Sequence, residues 1–161
     1  MNRWTAFILL AAGTAACSPQ AQPGATAVKE TPAAAHPVSG LAIVPLTVRS
    51  GERLHRFRVE VAATGEEQNR GLMFRNELGP DEGMIFPTQV PEMRSFWMKN
   101  TPLPLDIIFI GPDRRIVNIA ARTTPYSTAP VASTGPVVNV LEIPGGRAEE
   151  LGIAEGDLVE W

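Results

Sequence analysis

The sequence predicts a mainly β, β-rich α+β domain: a barrel-like sheet of six to eight short strands with two short helices, over residues 41–161. Short apolar runs bounded by Gly, Pro and Asp recur along this part of the chain, as in small barrels. One of them alternates apolar and polar residues with the period of a strand. Only two short stretches carry helix signals. The full length of 161 residues suits one domain of ordinary size.

The first half of the domain predicts a hairpin followed by a helix. Residues 46–49 form a strand, residues 50–52 a turn, and residues 55–61 an alternating second strand. Thr64-Gly65-Glu66-Glu67 has the pattern of a capping box, in which the Thr and the second Glu each satisfy the other's backbone N–H. The helix that it opens is expected to end near residue 71 or 72.

The second half is built around one buried strand. Residues 105–110 are an almost continuous apolar run, which favours a central strand covered on both faces. Residues 146–151 can form one or two helical turns, and residues 123–136 are expected to be a loop. The remaining predicted strands are residues 83–87, 95–98, 115–121, 137–143 and 158–161, the last at a sheet edge.

The N-terminus has the pattern of a secretory signal peptide over residues 1–16. Arg3 supplies a positive charge, and residues 4–16 are uncharged and mostly apolar. Such a segment is too short for a bilayer span, which needs about 20 residues, but it fits a signal peptide. We therefore predict an exported protein.

Cys17 is predicted to be lipidated. It is the only cysteine of the chain, so it has no intrachain disulfide partner. The small residues before it resemble a bacterial lipobox, although Thr14 stands where Leu is usual. With Ser18 rather than Asp after it, resemblance to diderm lipoproteins implies the outer membrane, facing the periplasm. The alternative is an ordinary signal peptide, with Cys17 incidental.

Residues 17–40 are predicted to be the lipidated Cys and a disordered tether. They are rich in Pro and Ala and contain almost no large apolar residue, so they cannot bury a core. His36 lies in this segment and is expected to be solvated.

Composition argues against several classes of function. The net charge is −3, whereas a nucleic-acid-binding domain needs a basic field, so no nucleic-acid partner is expected. The sequence contains no glycine loop for phosphates, no nucleophile frame and no zinc-ligand spacing. We therefore predict neither a cofactor nor a metal of those kinds.

Several segments resemble a family known as domain of unknown function 192. The resemblance is carried by Gly71-Leu72-Met73-Phe74-Arg75, Gly83-Met84-Ile85-Phe86, the block from Ser95 to Thr101, Pro104 to Ile110, and Val140-Leu141-Glu142. It covers about residues 44–161. It implies a small, often exported, bacterial or archaeal protein with a β-rich domain, and it implies no activity.

Asp106 is the most informative single residue of the candidate site. It shares a strand face with Ile108 and Ile110, and a buried carboxylate must be paired, hydrogen-bonded or protonated. Its expected partners are Lys99 and Asn100, with Arg75 and Arg70 as further candidates. One interpretation is structural: a buried ion pair or a turn-capping carboxylate.

The other interpretation of Asp106 is functional, and its ligand-binding candidates are Arg75, Trp97, Lys99, Asn100 and Asp106. They would form a polar cluster at the mouth of an apolar pocket walled by Trp97. An exposed Trp97 would suit sugar stacking or a partner surface, whereas Phe96 and Trp97 would both be core if both sheet faces are covered.

Three hypotheses of function remain. The first is an envelope protein that is not an enzyme and binds a small polar ligand, a glycan or a protein partner. The second is an enzyme acting on an envelope carbohydrate, with Asp106 and Lys99 as acid and base. The third is a copper-binding protein that uses soft thioether ligands. Those ligands would be Met73, Met84, Met93 and Met98.

Overall fold

The computed structural model describes Met1 and residues 34–161. Apart from Met1, the predicted signal peptide, Cys17 and the tether up to residue 33 lie outside the described residues. Residues 34–161 belong to one compact unit. None of the helices in this range is long and apolar enough to cross a bilayer.

Residues 34–161 form nine strands and two short helices, which confirms the β-rich fold with two small helices. The strands are β1 (Ile43–Ser50), β2 (Arg53–Val61), β3 (Glu82–Glu92), β4 (Ser95–Phe96), β5 (Leu105–Ile110), β6 (Ile116–Ala120), β7 (Val131–Ala132), β8 (Val137–Pro144) and β9 (Leu158–Glu160). The helices are α1 (Gly65–Arg70) and α2 (Arg147–Leu151). β7 is an addition, since it lies within the predicted loop.

Seven strands form one curled, half-barrel sheet in the order β6-β5-β8-β3-β2-β1-β9, and β4 pairs with β7 in a small separate sheet. Among the adjacent strands of this sheet, only β2 and β3 pair in parallel. Helix α1 lies in the connection between them. β9 pairs with β1 and also meets Arg115 through a bridge at Leu158. The two ends of the sheet therefore approach each other at β9.

The capping box at the start of α1 is confirmed. The Thr64 hydroxyl accepts from the N–H of Glu67 at 3.2 Å, and the Glu67 carboxylate accepts from the N–H of Thr64 at 2.8 Å. The helix ends at Arg70, where Gly71 adopts a positive φ of 46°. This cap fixes the start of α1, and α1 together with the turn after it forms one wall of a surface cleft.

Both faces of the central strands are covered, as the apolar run of β5 predicts. All six residues of β5 are buried. Alternate residues contribute to two separate apolar clusters: Ile108 and Ile110 pack with one, and Ile107 and Phe109 with the other. We call the face with Ile107 the outer face, and it is covered by the segments around Leu72 and Met98.

Asp106 caps a turn and does not form an ion pair. It is fully buried. One carboxylate oxygen accepts from the N–H groups of Arg122 at 2.7 Å and Gly146 at 2.8 Å, and the other accepts from Ala148 at 2.8 Å. The expected pairing with Lys99 or Asn100 is therefore not observed. Backbone N–H groups satisfy the carboxylate and tie β5 to α2 and to the chain after β6.

Replacing Asp106 by Ala should lower the free energy of unfolding by at least about 3 kcal/mol, because buried N–H groups left without an acceptor each cost about 1–3 kcal/mol. Urea unfolding of both proteins measures the difference. Glu149→Gln is the control, since its pair with Arg122 is solvent-exposed and should be worth less than about 1 kcal/mol. Similar losses in both variants would contradict the proposed role of Asp106.

Candidate functional site

A cleft of about 680 Å³ opens on the outer face of the sheet. Its walls come from residues 68–73 at the end of α1, from residues 94–97 around β4, and from residues 99–101. Glu142 of β8 also lines it. We call this space the Glu142 cleft.

Glu142 is a carboxyl group set into an apolar layer. In the sheet it lies opposite Met84 of β3 on one side and opposite Ile107 of β5 on the other. The residue is 5% exposed, and no described residue forms a hydrogen bond or ion pair with its carboxyl. Burial alone raises its pKa from 4.5 to about 8. Near neutral pH the group is therefore mostly a protonated acid, which can donate one hydrogen bond.

Three cationic side chains line the same cleft: Arg70, Arg94 and Lys99. Arg94 is held by the protein, since it donates to Gln68 at 3.1 Å and lies 3.5 Å from a carboxylate oxygen of Glu92. Arg70 and Lys99 form no ion pair with any described acid. The cleft therefore carries two cations that remain available to a ligand.

Apolar side chains provide the rest of the wall. Leu72 and Phe86 are buried, and Phe96 is half-buried. The rings of Phe86 and Phe96 meet edge to face with centroids 5.1 Å apart. The cleft thus combines an apolar patch with many polar and charged groups, a composition that suits a polar small molecule.

Trp97, Lys99 and Asn100, three of the five candidate residues, lie together in this cleft. Trp97 is 50% exposed, whereas Phe96 packs against the outer apolar cluster, so the two aromatic residues are not both core. The Lys99 ammonium lies 5.2 Å from the centroid of the Trp97 ring. Asp106 does not line this cleft, because it faces the other side of the sheet.

Arg75 lies outside the Glu142 cleft and borders a second one. Its guanidinium donates to the buried carboxylate of Glu60 at 2.8 Å and lies 3.1 Å from the ring nitrogen of His36. The expectation that His36 is solvated is wrong: its side chain is 13% exposed. It is held there because residues 35 and 42 pair and Ser39 donates to Glu60.

The four methionines of the copper hypothesis occupy different surroundings. Met84 and Met98 are buried in the outer apolar cluster, Met93 is exposed, and Met73 lines the Glu142 cleft. Among the described residues, no group of three or more His, Cys, Asp or Glu side chains is placed to hold a metal ion.

Glu142 is the functional candidate that the sequence analysis missed. It sits between Leu141 and Ile143 in a predicted strand, in the same kind of surroundings that identified Asp106. A charged residue in a strand that is apolar on both sides is the signal by which it could have been found. What the sequence does not reveal is whether a protein group satisfies the carboxyl.

The DUF192 family model, described as "Uncharacterized ACR", matches residues 46–161. A crystal structure of a protein of unknown function from Novosphingobium aromaticivorans DSM 12444 is 54% identical, with a TM-score of 0.79, over 87% of this chain and 100% of that one.

A second crystal structure, from Sinorhizobium meliloti 1021, is described as a candidate transcription regulator. It is 36% identical, with a TM-score of 0.73, over 74% of this chain and 94% of that one. The comparison with curated proteins gives no match.

The raised pKa of Glu142 predicts a specific pH dependence of stability. Because the folded value is about 8 and the unfolded value 4.5, the unfolded chain loses this proton at lower pH than the folded chain does. The contribution of Glu142 to the free energy of unfolding is complete when the pH is below the pKa of the unfolded chain. Above that pH, this contribution falls by about 1.4 kcal/mol per pH unit until the pH reaches the pKa of the folded chain.

Urea unfolding of the native chain and of Glu142→Gln between pH 5 and pH 8 measures this contribution as a difference. We expect the free energy of unfolding of the native chain to fall relative to that of the variant as pH rises. Glu149→Gln, an exposed acid, should keep the native profile. Parallel profiles for Glu142→Gln and the native chain would show that Glu142 is not desolvated.

Proposed function

The chain belongs to the DUF192 family, whose members are described as uncharacterized, and we propose that its domain binds a small polar ligand in the Glu142 cleft. We further propose that the protein is exported and anchored by a lipid on Cys17, so that the domain faces the periplasm. These proposals rest on different residues and are tested separately.

The observation that carries the binding proposal is a buried carboxyl without a protein partner on the surface of a cleft. Asp106, on the neighbouring strand, is satisfied by three N–H groups of the protein. Glu142 has no such partner among the described residues, and a ligand entering the cleft would supply one.

The size and lining of the cleft favour a small molecule over a protein partner. A volume of about 680 Å³ falls within the range of about 300–1,000 Å³ that is usual for ligand pockets. The exposed Trp97 offers an apolar surface beside the polar side chain of Asn100. A glycan unit is one ligand of this kind, so the glycan hypothesis is a case of the same proposal.

An acid–base pair of Asp106 and Lys99 has no geometric support. Both oxygens of Asp106 accept backbone hydrogen bonds, and Asp106 does not line the cleft that contains Lys99. A proton donor in this cleft would have to be Glu142, and no nucleophile pattern accompanies it in the sequence. Binding is therefore the function that the geometry supports best.

The description of the Sinorhizobium relative as a candidate transcription regulator is not extended to this chain. A net charge of −3 lacks the basic field on which DNA affinity depends. The predicted signal peptide also favours export over a role on the chromosome.

A thermal-shift screen of the purified chain against sugars, organic acids, amino acids and nucleotides should reveal the ligand. A ligand at 100 times its dissociation constant adds about 2.7 kcal/mol of stability. Trp97→Ala should abolish the shift because it removes a wall of the cleft.

Trp161→Ala is the matched control for Trp97→Ala, since Trp161 is similarly exposed at 48% and does not line the cleft. A shift lost in both variants, or in neither, would place binding elsewhere. A screen without any shift would contradict ligand binding and favour a role in protein interaction.

Metabolic labelling with radioactive palmitate tests the anchor. Because Cys17 is the only cysteine, the native chain should incorporate label and fractionate with the outer membrane, and Cys17→Ser should do neither. A Ser18→Ala variant should be labelled like the native chain. Secretion of an unlabelled native chain would instead support an ordinary signal peptide.

A further inference from the structure

We propose that the ligand of the Glu142 cleft is a small organic anion, whose acidic group accepts a hydrogen bond from the Glu142 carboxyl and pairs with Arg70 and Lys99. This inference deepens the proposed function and rests on it. It is carried by the distribution of charge around the cleft, by the lack of a protein partner for Glu142, and by the apolar wall.

The charged groups that line the cleft with Glu142 are all cations. Arg70 comes from α1, Arg94 from the turn between β3 and β4, and Lys99 from the segment after β4. Glu142 is the only acid that lines the cleft in the described part of the chain. A cationic ligand would therefore enter among three positive charges, whereas an anion would be attracted by them.

The availability of these cations differs. Arg94 already contacts Gln68 and Glu92 and stacks over Phe96 at 5.3 Å. Arg70 and Lys99 have no acidic partner among residues 34–161. An entering carboxylate or phosphate would pair with these two cations without breaking an existing ion pair.

Glu142 complements an anion only while it is protonated. Burial holds its pKa at about 8, so the acid form predominates at pH 7. An acid O–H that donates to an anionic oxygen makes a charge-assisted hydrogen bond, roughly twice as strong as a neutral one. A cation would need the ionised form, which the apolar surroundings of Met84 and Ile107 disfavour.

The apolar wall argues for an organic rather than an inorganic anion. Half-buried Phe96 and exposed Trp97 line the cleft, and a bare phosphate or sulfate would leave their apolar surface against water. A ligand with a flat or apolar body attached to its acidic group would cover them. An acidic sugar and an aromatic carboxylate both meet this description.

Benzoate, benzamide and benzamidine share one ring and carry a negative, a zero and a positive charge, so they isolate the effect of ligand charge. Their dissociation constants for the purified full chain are measured by ligand-observed NMR at pH 6.5 and pH 9. We expect benzoate to bind most tightly at pH 6.5 and to weaken about 10-fold by pH 9, as Glu142 loses its proton.

Three variants assign the effect to residues. Glu142→Gln keeps a hydrogen-bond donor, so benzoate should still bind but without the change between the two pH values. Lys99→Met keeps the stem and removes the charge, so it should weaken benzoate several-fold. Arg114→Met removes a cation that is 63% exposed and does not line the cleft, and it should change nothing. Circular dichroism verifies that each variant is folded.

Other outcomes overturn the inference. Benzamidine binding best, and more tightly at pH 9, would identify a cation site at an ionised Glu142. Equal binding of all three compounds would refute the inference that the cleft selects an anion. It would still agree with the proposal that the cleft binds a small ligand. If none of the three binds at millimolar concentration, the organic-anion class is rejected, and the wider screen with Trp97→Ala decides separately whether the cleft binds anything.

Discussion

The covering of both faces of the central strands is the constraint on which the rest of this structure depends. β5 and β8 are adjacent, and each side of the sheet carries its own apolar cluster. No side chain on these strands can reach water by turning to the other face, as it could in a one-sided sheet. Every polar group placed there must therefore find a partner in the protein, in an ordered water or in a ligand.

Asp106 and Glu142 meet that constraint in opposite ways. The sheet pairs Asp106 with Ile143 and Ile107 with Glu142, so a step of one residue directs the two carboxyl groups to opposite faces. On its side, Asp106 meets the start of α2, where N–H groups are free to donate. On the outer side, Glu142 meets side chains of the apolar layer and an open cleft. The same chemical group is thus structural in one place and available to a ligand in the other.

Local patterns predicted most of the fold, and long-range contacts account for what they missed. The apolar run of β5 and the capping box at Thr64 identify their elements because the signal lies within a few residues. β7 has no such signal, since its two residues pair with β4, which lies far away in the sequence. For the same reason Arg75 was not matched to Glu60, and nothing local showed that Glu142 would lack a partner, because its cleft combines residues far apart in the sequence.

The backbone beside Lys99, which lines the cleft, is held in shape before any ligand enters. Phe74, Asn100 and Tyr126 all have positive φ values, of 63°, 57° and 61°, which cost about 1–3 kcal/mol each in residues other than glycine. The N–H of Phe74 donates to the carbonyl of Asn100 at 2.8 Å, and that of Tyr126 to the carbonyl of Thr101 at 3.1 Å. These bonds fix the backbone beside Lys99 from two directions. Because these bonds already hold the backbone beside Lys99, a ligand that pairs with Lys99 would lose less of its binding free energy to ordering the site.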